Sequence, residues 1–407
     1  MALPSLQSRF EGCLLGGAIG DALGAPVEFQ NAHTIFATYG PKGITDLPQP
    51  GTFTDDTQMT LFTAEGLISA VGHQYLQMPP QGSSPKITKE AISMLHQSYL
   101  RWLATQQMES KYEMFSILKS SGWLVSHKEL HRREAPGKTC LSALASGRIG
   151  SRTETLNNSK GCGGVMRVAP AALIVHGAWP EETADRKAAL AYEIGCAAAA
   201  ITHSHPAGYH SGGMLAAIIS YVLSGEELLR AVELSCEILG KEKNGTETLD
   251  CIRLSVRLGI DRKAKLEAAP KEEKSKGSGV EKLIAEEIES IGGGWVGEEA
   301  LGIALYCCIL AGRDFEAGLI WSVNHTGDSD STGAIAGNIL GALLGSEGIP
   351  ARWPNGVDMS ELVKEVASDL YSATNESATN YEYPGALRLL KSGKYPRWFM
   401  QVTPTYH

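Results

Sequence analysis

The sequence has no CxxC pair, no HExxH helix, no Gly-x-Ser-x-Gly elbow and no apolar run of the roughly 18 to 20 residues that a membrane helix needs. Its eight cysteines are scattered, and the neighbours Cys307 and Cys308 cannot be joined to each other in ordinary disulfide geometry, so they read as reduced thiols of a cytosolic protein. Basic residues are outnumbered, 36 Lys and Arg against 45 Asp and Glu for a net charge of −9, and they form no dense block. That excludes a phosphate backbone or an anionic membrane as the main partner, while leaving room for a small anionic ligand. The first 21 residues carry Arg9 and Glu11 ahead of a short apolar stretch, which is not the pattern of a secretion signal. Alternating β-branched runs are nearly absent too, which argues against a sheet.

What is present is ample apolar material, 43% hydrophobic against 20% charged residues, enough to bury a large core. Helical periodicity predicts segments at 55–71, 89–103, 183–202, 211–223, 297–310 and 331–344, hence an all-α fold. Stretches 72–85 and 261–279 read as surface insertions rather than linkers, so residues 1–407 are taken as a single domain. Without a coiled coil, a monomer is the default. Glycine is unusually frequent, 45 of 407 residues, against an average near 7%. Gly333, Gly337, Gly341 and Gly345 recur every fourth residue, on one stripe of a helix. Interior glycine costs up to about 1 kcal/mol relative to alanine, so the stripe predicts close approach by another backbone.

Two segments carry hard oxygen ligands at apparent helix starts. In Phe53-Thr54-Asp55-Asp56-Thr57-Gln58-Met59, Thr54 suits an N-cap and one aspartate suits the helix dipole, but a second adjacent aspartate points to a cation site. Asn324-His325-Thr326-Gly327-Asp328-Ser329-Asp330-Ser331-Thr332 repeats the pattern with Asp-x-Asp and hydroxyls, the donors chosen by Mg²⁺, Mn²⁺ or Ca²⁺. Four carboxylates converging on one cavity repel unless cations compensate them, which implies a pair of divalent ions roughly 3.5 to 4 Å apart.

A third segment, Ser159-Lys160-Gly161-Cys162-Gly163-Gly164-Val165-Met166-Arg167, is either a plain turn before a helix at Met166 or a loop whose amides cradle a diphosphate; it lacks the Walker A ending. Thr202-His203-Ser204-His205-Pro206-Ala207-Gly208-Tyr209 places two histidines and a tyrosine on a loop, without zinc spacing. Gly292-Gly293-Gly294-Trp295-Val296-Gly297 matches GxGxxG but follows a helical segment, 284–291, so a dinucleotide fold is rejected.

Taken in order, GDALGAPVEF at 20–29, FTDDTQM at 53–59, SKGCGGVMRVAP at 159–170, THSHPAGY at 202–209, GGGWVGEEALGIALY at 292–306 and HTGDSDSTGAIAG at 325–337 strongly resemble the ADP-ribosylglycohydrolase family, from about residue 9 to residue 346. The resemblance implies a compact orthogonal multi-helix, all-α domain with a central binuclear site for two divalent cations, Mg²⁺ or Mn²⁺. It implies hydrolysis of the bond between ADP-ribose and an acceptor, either a modified protein or a small ADP-ribose-containing molecule. Matched residue by residue, the metal ligands are Thr54, Asp55, Asp56, Asp328, Asp330 and Ser331, with Thr332 as a neighbour. Asp55 or Asp56 orients the attacking water, and Glu28 or Asp56 protonates the leaving group. Glu28 falls at an acidic position that closes over substrate, and Gly161, Gly163, Gly164 and Met166 lie along the diphosphate and distal ribose. His203 falls at the ribose end and Tyr209 near the adenine. The Asp-Ser-Asp-Ser form of the second motif is similar to arginine-directed members. Serine-linked, O-acetyl or polymeric ADP-ribose, or a non-catalytic ADP-ribose-binding relative, are the alternatives.

Overall fold

Several helices begin where the sequence supplies an oxygen. Ser5 caps α1 (Leu6–Gly24), Thr54 caps α2 (Asp55–Gly72), Thr88 caps α3 (Lys89–Thr105) and Asp328 caps α4 (Ser329–Leu344), each side chain accepting from a main-chain N–H two or three residues on. The computed structural model describes residues 3–83, 86–268, 279–375 and 384–396. Among these there is no strand, only isolated bridges such as Gly161 to Val296, so the fold is all-α as the periodicity predicts. No helix among them is long and apolar enough to cross a membrane. All eight cysteines are free.

The glycine stripe decides the packing. α1 and α4 lie against each other along Gly12, Gly16 and Gly20 on one side and Gly341, Gly337 and Gly333 on the other. A Cβ on Gly16 would stand 2.3 Å from the Gly337 carbonyl oxygen, and one on Gly20 would stand 1.9 Å from that of Gly333. Neither helix can carry a side chain there. Asn338 and Arg9 fix the pairing with polar contacts inside the core: Asn338 Nδ2 donates to the Cys13 carbonyl at 2.7 Å, and Arg9 Nε to that of Ala342 at 2.7 Å. Because the two helices run antiparallel, the end of α1 meets the start of α4, and a Cβ on Gly24 would lie 2.2 Å from the Ser329 carbonyl oxygen. The residues just beyond Gly24 are thereby delivered to the Asp328–Asp330 turn.

Several boundaries differ from the sequence expectation. The helix after the glycine-rich loop starts at Pro170 rather than Met166, since the proline fits a first helical turn and residues 162–164 form a separate 3₁₀ turn. His205 caps a helix that begins at Pro206, which puts Tyr209 on helix rather than loop. Residues 261–268 continue the helix Thr246–Ala268, so only part of the expected insertion is non-helical up to that point, and 269–278 lie outside the described residues. Residues 73–83 do form an irregular connection between α2 and α3.

His96, on α3, is fully buried with neither ring nitrogen hydrogen-bonded, its ring edge-on to Tyr112 at 5.2 Å. Burial pulls its pKa from 6.5 down to about 3, so the folded state holds the ring neutral. The unfolded chain takes up a proton below pH 6.5 and the folded chain does not, so this stabilisation is complete above pH 6.5 and is lost as pH falls towards 3. At pH 5 the loss relative to pH 7 is expected to be about 2 kcal/mol. His96→Leu should flatten the acid limb of urea midpoint against pH by that amount; an unchanged limb would contradict the assignment.

Candidate active site

The cleft is built around the start of α2. Asp21, in the last turns of α1, is fully buried and accepts the Thr54 N–H at 2.8 Å, the Thr57 N–H at 2.9 Å and the Thr57 hydroxyl at 2.6 Å. It holds the Thr54–Thr57 turn in place from behind. Asp55 accepts the Gly137 N–H at 3.2 Å and donates its own N–H to the Glu134 carbonyl at 3.1 Å, which draws the 134–139 loop over the aspartates. Asp56 Oδ2 is buried and has no partner.

The second cluster is organised by the 292–297 loop and the glycine-rich loop. The Asp328 N–H donates to the Gly293 carbonyl at 2.8 Å, and the Cys162 thiol donates to Asp328 Oδ2 at 2.8 Å. Asp330 Oδ1 accepts the Ser331 N–H at 2.9 Å. The Thr332 hydroxyl turns back into α4, donating to the carbonyls of Ser322 at 2.7 Å and Asp328 at 2.9 Å, which occupies it away from the cleft.

One cleft of about 460 Å³ brings together Glu28, Asp55, Asp56, Asp328, Asp330, Ser331, Gly161, Gly163, Met166 and His203. Of the other expected site residues, Thr54 is buried with its hydroxyl accepting the Asp56 N–H at 3.3 Å. Gly164 packs behind the loop, where a Cβ would meet the Gly208 carbonyl oxygen at 2.9 Å. Tyr209 is not among the residues lining the cleft; its ring lies under the guanidinium of the half-buried Arg152 at 5.5 Å. The glycine-rich loop also offers fewer free amides than its sequence suggests. Those of Cys162, Val165 and Met166 donate to main-chain carbonyls, and that of Gly161 donates to the Ser159 hydroxyl.

Sequence reasoning passed over Asp21, Cys162, Phe29, Trp295 and the 135–139 loop. An acid inside the otherwise apolar segment 12–24 was the signal for Asp21; Phe29, Cys162 and Trp295 lie within the quoted motifs, but their partners are far away in the chain, and the 135–139 loop leaves no local pattern. A larger groove of about 880 Å³ lies on the surface along helices Leu228–Leu239 and Thr246–Ala268, but it holds no comparable cluster of buried acids.

The electrostatics are those of acids without counter-charge. Burial, then Asp328, Asp55 and Asp21, pushes Glu28 up to about 8; burial, with Asp21 and Asp328, does the same to Asp55 against the opposing Gly137 N–H. Asp56 and Asp330 are driven well above the carboxylate range by burial first and neighbouring acids second, and Asp21 to about 6 by burial. Among the described residues none of these acids is ion-paired with lysine or arginine. His203 is held neutral, its pKa lowered to about 3 by burial and by Arg167, with Nδ1 2.8 Å from the Thr202 hydroxyl. Hard oxygen donors, an orphaned carboxylate oxygen and mutual repulsion together suit divalent cations. Among the described residues, no three His, Cys, Asp or Glu side chains are grouped tightly enough to hold an ion.

The family described as ADP-ribosylglycohydrolase matches residues 2–380. The chain is 23% identical to the ADP-ribosyl-[dinitrogen reductase] glycohydrolase of Rhodospirillum rubrum, over 88% of this chain and 93% of that one. It is also 23% identical to the bovine (Bos taurus) ADP-ribosylhydrolase ARH3, covering 91% and 94%, and to the ADP-ribosylarginine hydrolase Tri1 of Serratia proteamaculans, covering 91% and 81%. A solved ADP-ribosylglycohydrolase-related protein complex superposes with a TM-score of 0.52 at 23% identity, covering 90% of this chain and 98% of that chain, a likeness of fold.

Proposed function

The chain belongs to the ADP-ribosylglycohydrolase family, and from that premise we propose that it is a metal-dependent hydrolase that releases ADP-ribose from modified arginine side chains. The observation that carries this reading is the single cleft in which Glu28, Asp55, Asp56, Asp328 and Asp330 meet His203 and the glycine-rich loop. Thr54, Asp55, Asp56, Asp328, Asp330 and Ser331 are the donors that would hold two divalent ions, Mg²⁺ or Mn²⁺. When bound, such a pair supplies the Lewis acidity that lets water react near neutral pH.

The chain's own groups do the rest. Asp55 and Asp56 accept hydrogen bonds from the attacking water and aim it at the anomeric carbon, where charge develops as in an oxocarbenium ion. Glu28, which lines the same cleft, serves as the acid for the leaving group. Neutral His203 offers an uncharged partner to the ribose end without attracting or repelling the phosphates. The 135–139 wall and the glycine-rich loop line the same cleft.

The acceptor assignment rests on the Asp328-Ser329-Asp330-Ser331 motif, together with likeness to a relative named for ADP-ribosylarginine. Two matched substrates, ADP-ribosylated on arginine and on serine, test it with Mg²⁺ and with chelator. Free ADP-ribose is expected from the arginine substrate only, and only with metal. Release from serine alone would reassign the linkage, and binding of ADP-ribose with no release from either would make the chain a binding relative.

A further inference from the structure

Phe29 is 77% exposed, the highest among the exposed large apolar side chains of the described residues, and Trp295 is 45% exposed. The two rings stack on each other, centroids 5.7 Å apart and planes 21° from parallel, and both line the cleft that holds the acids. Leaving two aromatic faces in water at the mouth of a charged cleft is unfavourable.

Both rings stand on fixed supports. Phe29 follows the buried Glu28, in a turn closed by the Gln30 N–H donating to the Val27 carbonyl at 2.9 Å and by Gln30 Nε2 donating to the Pro26 carbonyl at 2.8 Å. The Trp295 carbonyl accepts the Cys162 N–H at 3.2 Å, and the next residue but one, Gly297, donates to the Lys160 carbonyl at 2.7 Å. Gly294, at φ +78°, turns the chain so that the indole reaches the cleft mouth. The pair thus bridges the loop that carries Glu28 and the loop whose Gly293 carbonyl anchors Asp328.

We propose that the stacked Phe29–Trp295 pair is the acceptor-recognition element of the cleft, selective for a flat cation, the guanidinium of an ADP-ribosylated arginine. This rests on the hydrolase reading above and adds what reads the acceptor. A guanidinium lies flat on an aromatic face, indole most favourably, and does so best where acids stand close by. Glu28 is the residue next to Phe29, Asp328 lines the same cleft, and the only Lys or Arg in the described lining is Lys138. A serine acceptor, neutral and without a π face, gains nothing from this arrangement.

The test compares wild type, Trp295→Ala, Phe29→Ala and Trp295→Phe on ADP-ribosyl-agmatine, an ADP-ribosyl-arginine peptide and an ADP-ribosyl-serine peptide, with the affinity for free ADP-ribose measured separately. The alanine variants are expected to raise KM for both guanidine substrates about tenfold and to lower the arginine-over-serine preference by the same factor. Trp295→Phe should restore most of the loss, and the ADP-ribose affinity should move less than twofold. Parallel loss of ADP-ribose affinity would assign the rings to the nucleotide. Loss on a modified protein with ADP-ribosyl-agmatine unaffected would assign them to the protein surface. Either result overturns the proposal. Should the wild type hydrolyse no linkage, the hydrolase reading fails, but the contact is still read by binding: ADP-ribosyl-agmatine should bind more tightly than ADP-ribose to wild type and equally to Trp295→Ala. Equal binding to wild type would overturn the proposal on its own.

Discussion

Asp56→Asn and Asp330→Asn should each lower the release of ADP-ribose at least about 10²-fold, the usual cost of removing one preorganised charge from a reacting centre, while the variants stay folded. Asparagine keeps the shape and one oxygen of the side chain but removes the charge that a divalent ion needs. Both carboxylates are buried, and the forces on them in the cation-free protein are unfavourable: desolvation first, neighbouring acids second. Neutralising one relieves repulsion, so the cation-free variants are expected to melt no lower than cation-free wild type. The binding signature runs the other way. A ligand at 100 times its Kd stabilises the folded state by about 2.7 kcal/mol, so Mg²⁺ or Mn²⁺ should raise the melting temperature of wild type by a few degrees and leave the variants nearly unmoved. Full turnover by either variant, or an equal metal-induced shift in both, would sink the two-ion site.

Gly337→Ala is expected to destabilise the protein by at least about 3 kcal/mol, although the same change in an ordinary helix interior gains up to about 1 kcal/mol. The added Cβ would stand 1.9 Å from the Gly16 carbonyl oxygen, a main-chain atom that no rotamer can move aside. α1 and α4 must separate, and with them the ends that carry Asp21 and Glu28 on one side and Asp328 and Asp330 on the other. Activity should therefore fall along with stability, and Gly16→Ala and Gly20→Ala should behave alike. A urea-unfolding free energy within about 0.5 kcal/mol of wild type would show that the helices are not held in this contact.

Much of this architecture is legible locally. Caps at Thr54, Thr88 and Asp328 act within three residues and apolar periodicity within four, so helix starts and the all-α class follow from the sequence. The same short range explains the misplacements. Pro206 could begin a helix or end a loop, and the helical alternative, capped by His205, carries Tyr209 away from the cleft to Arg152. Charged residues at 261–268 look like a surface loop but propagate the helix they follow.

The sequence by itself determined the helices, the glycine stripe and the set of hard oxygen donors, because each is written in residues a few positions apart. Only the tertiary structure decided which of these meet. Asp21 reaches Thr54 and Thr57 across more than thirty residues, and Cys162 reaches Asp328 across 166. Phe29 stacks on Trp295 across 266 residues. Such encounters depend on how closely two backbones approach, and here that distance is set by glycines whose missing Cβ atoms let α1 and α4 touch.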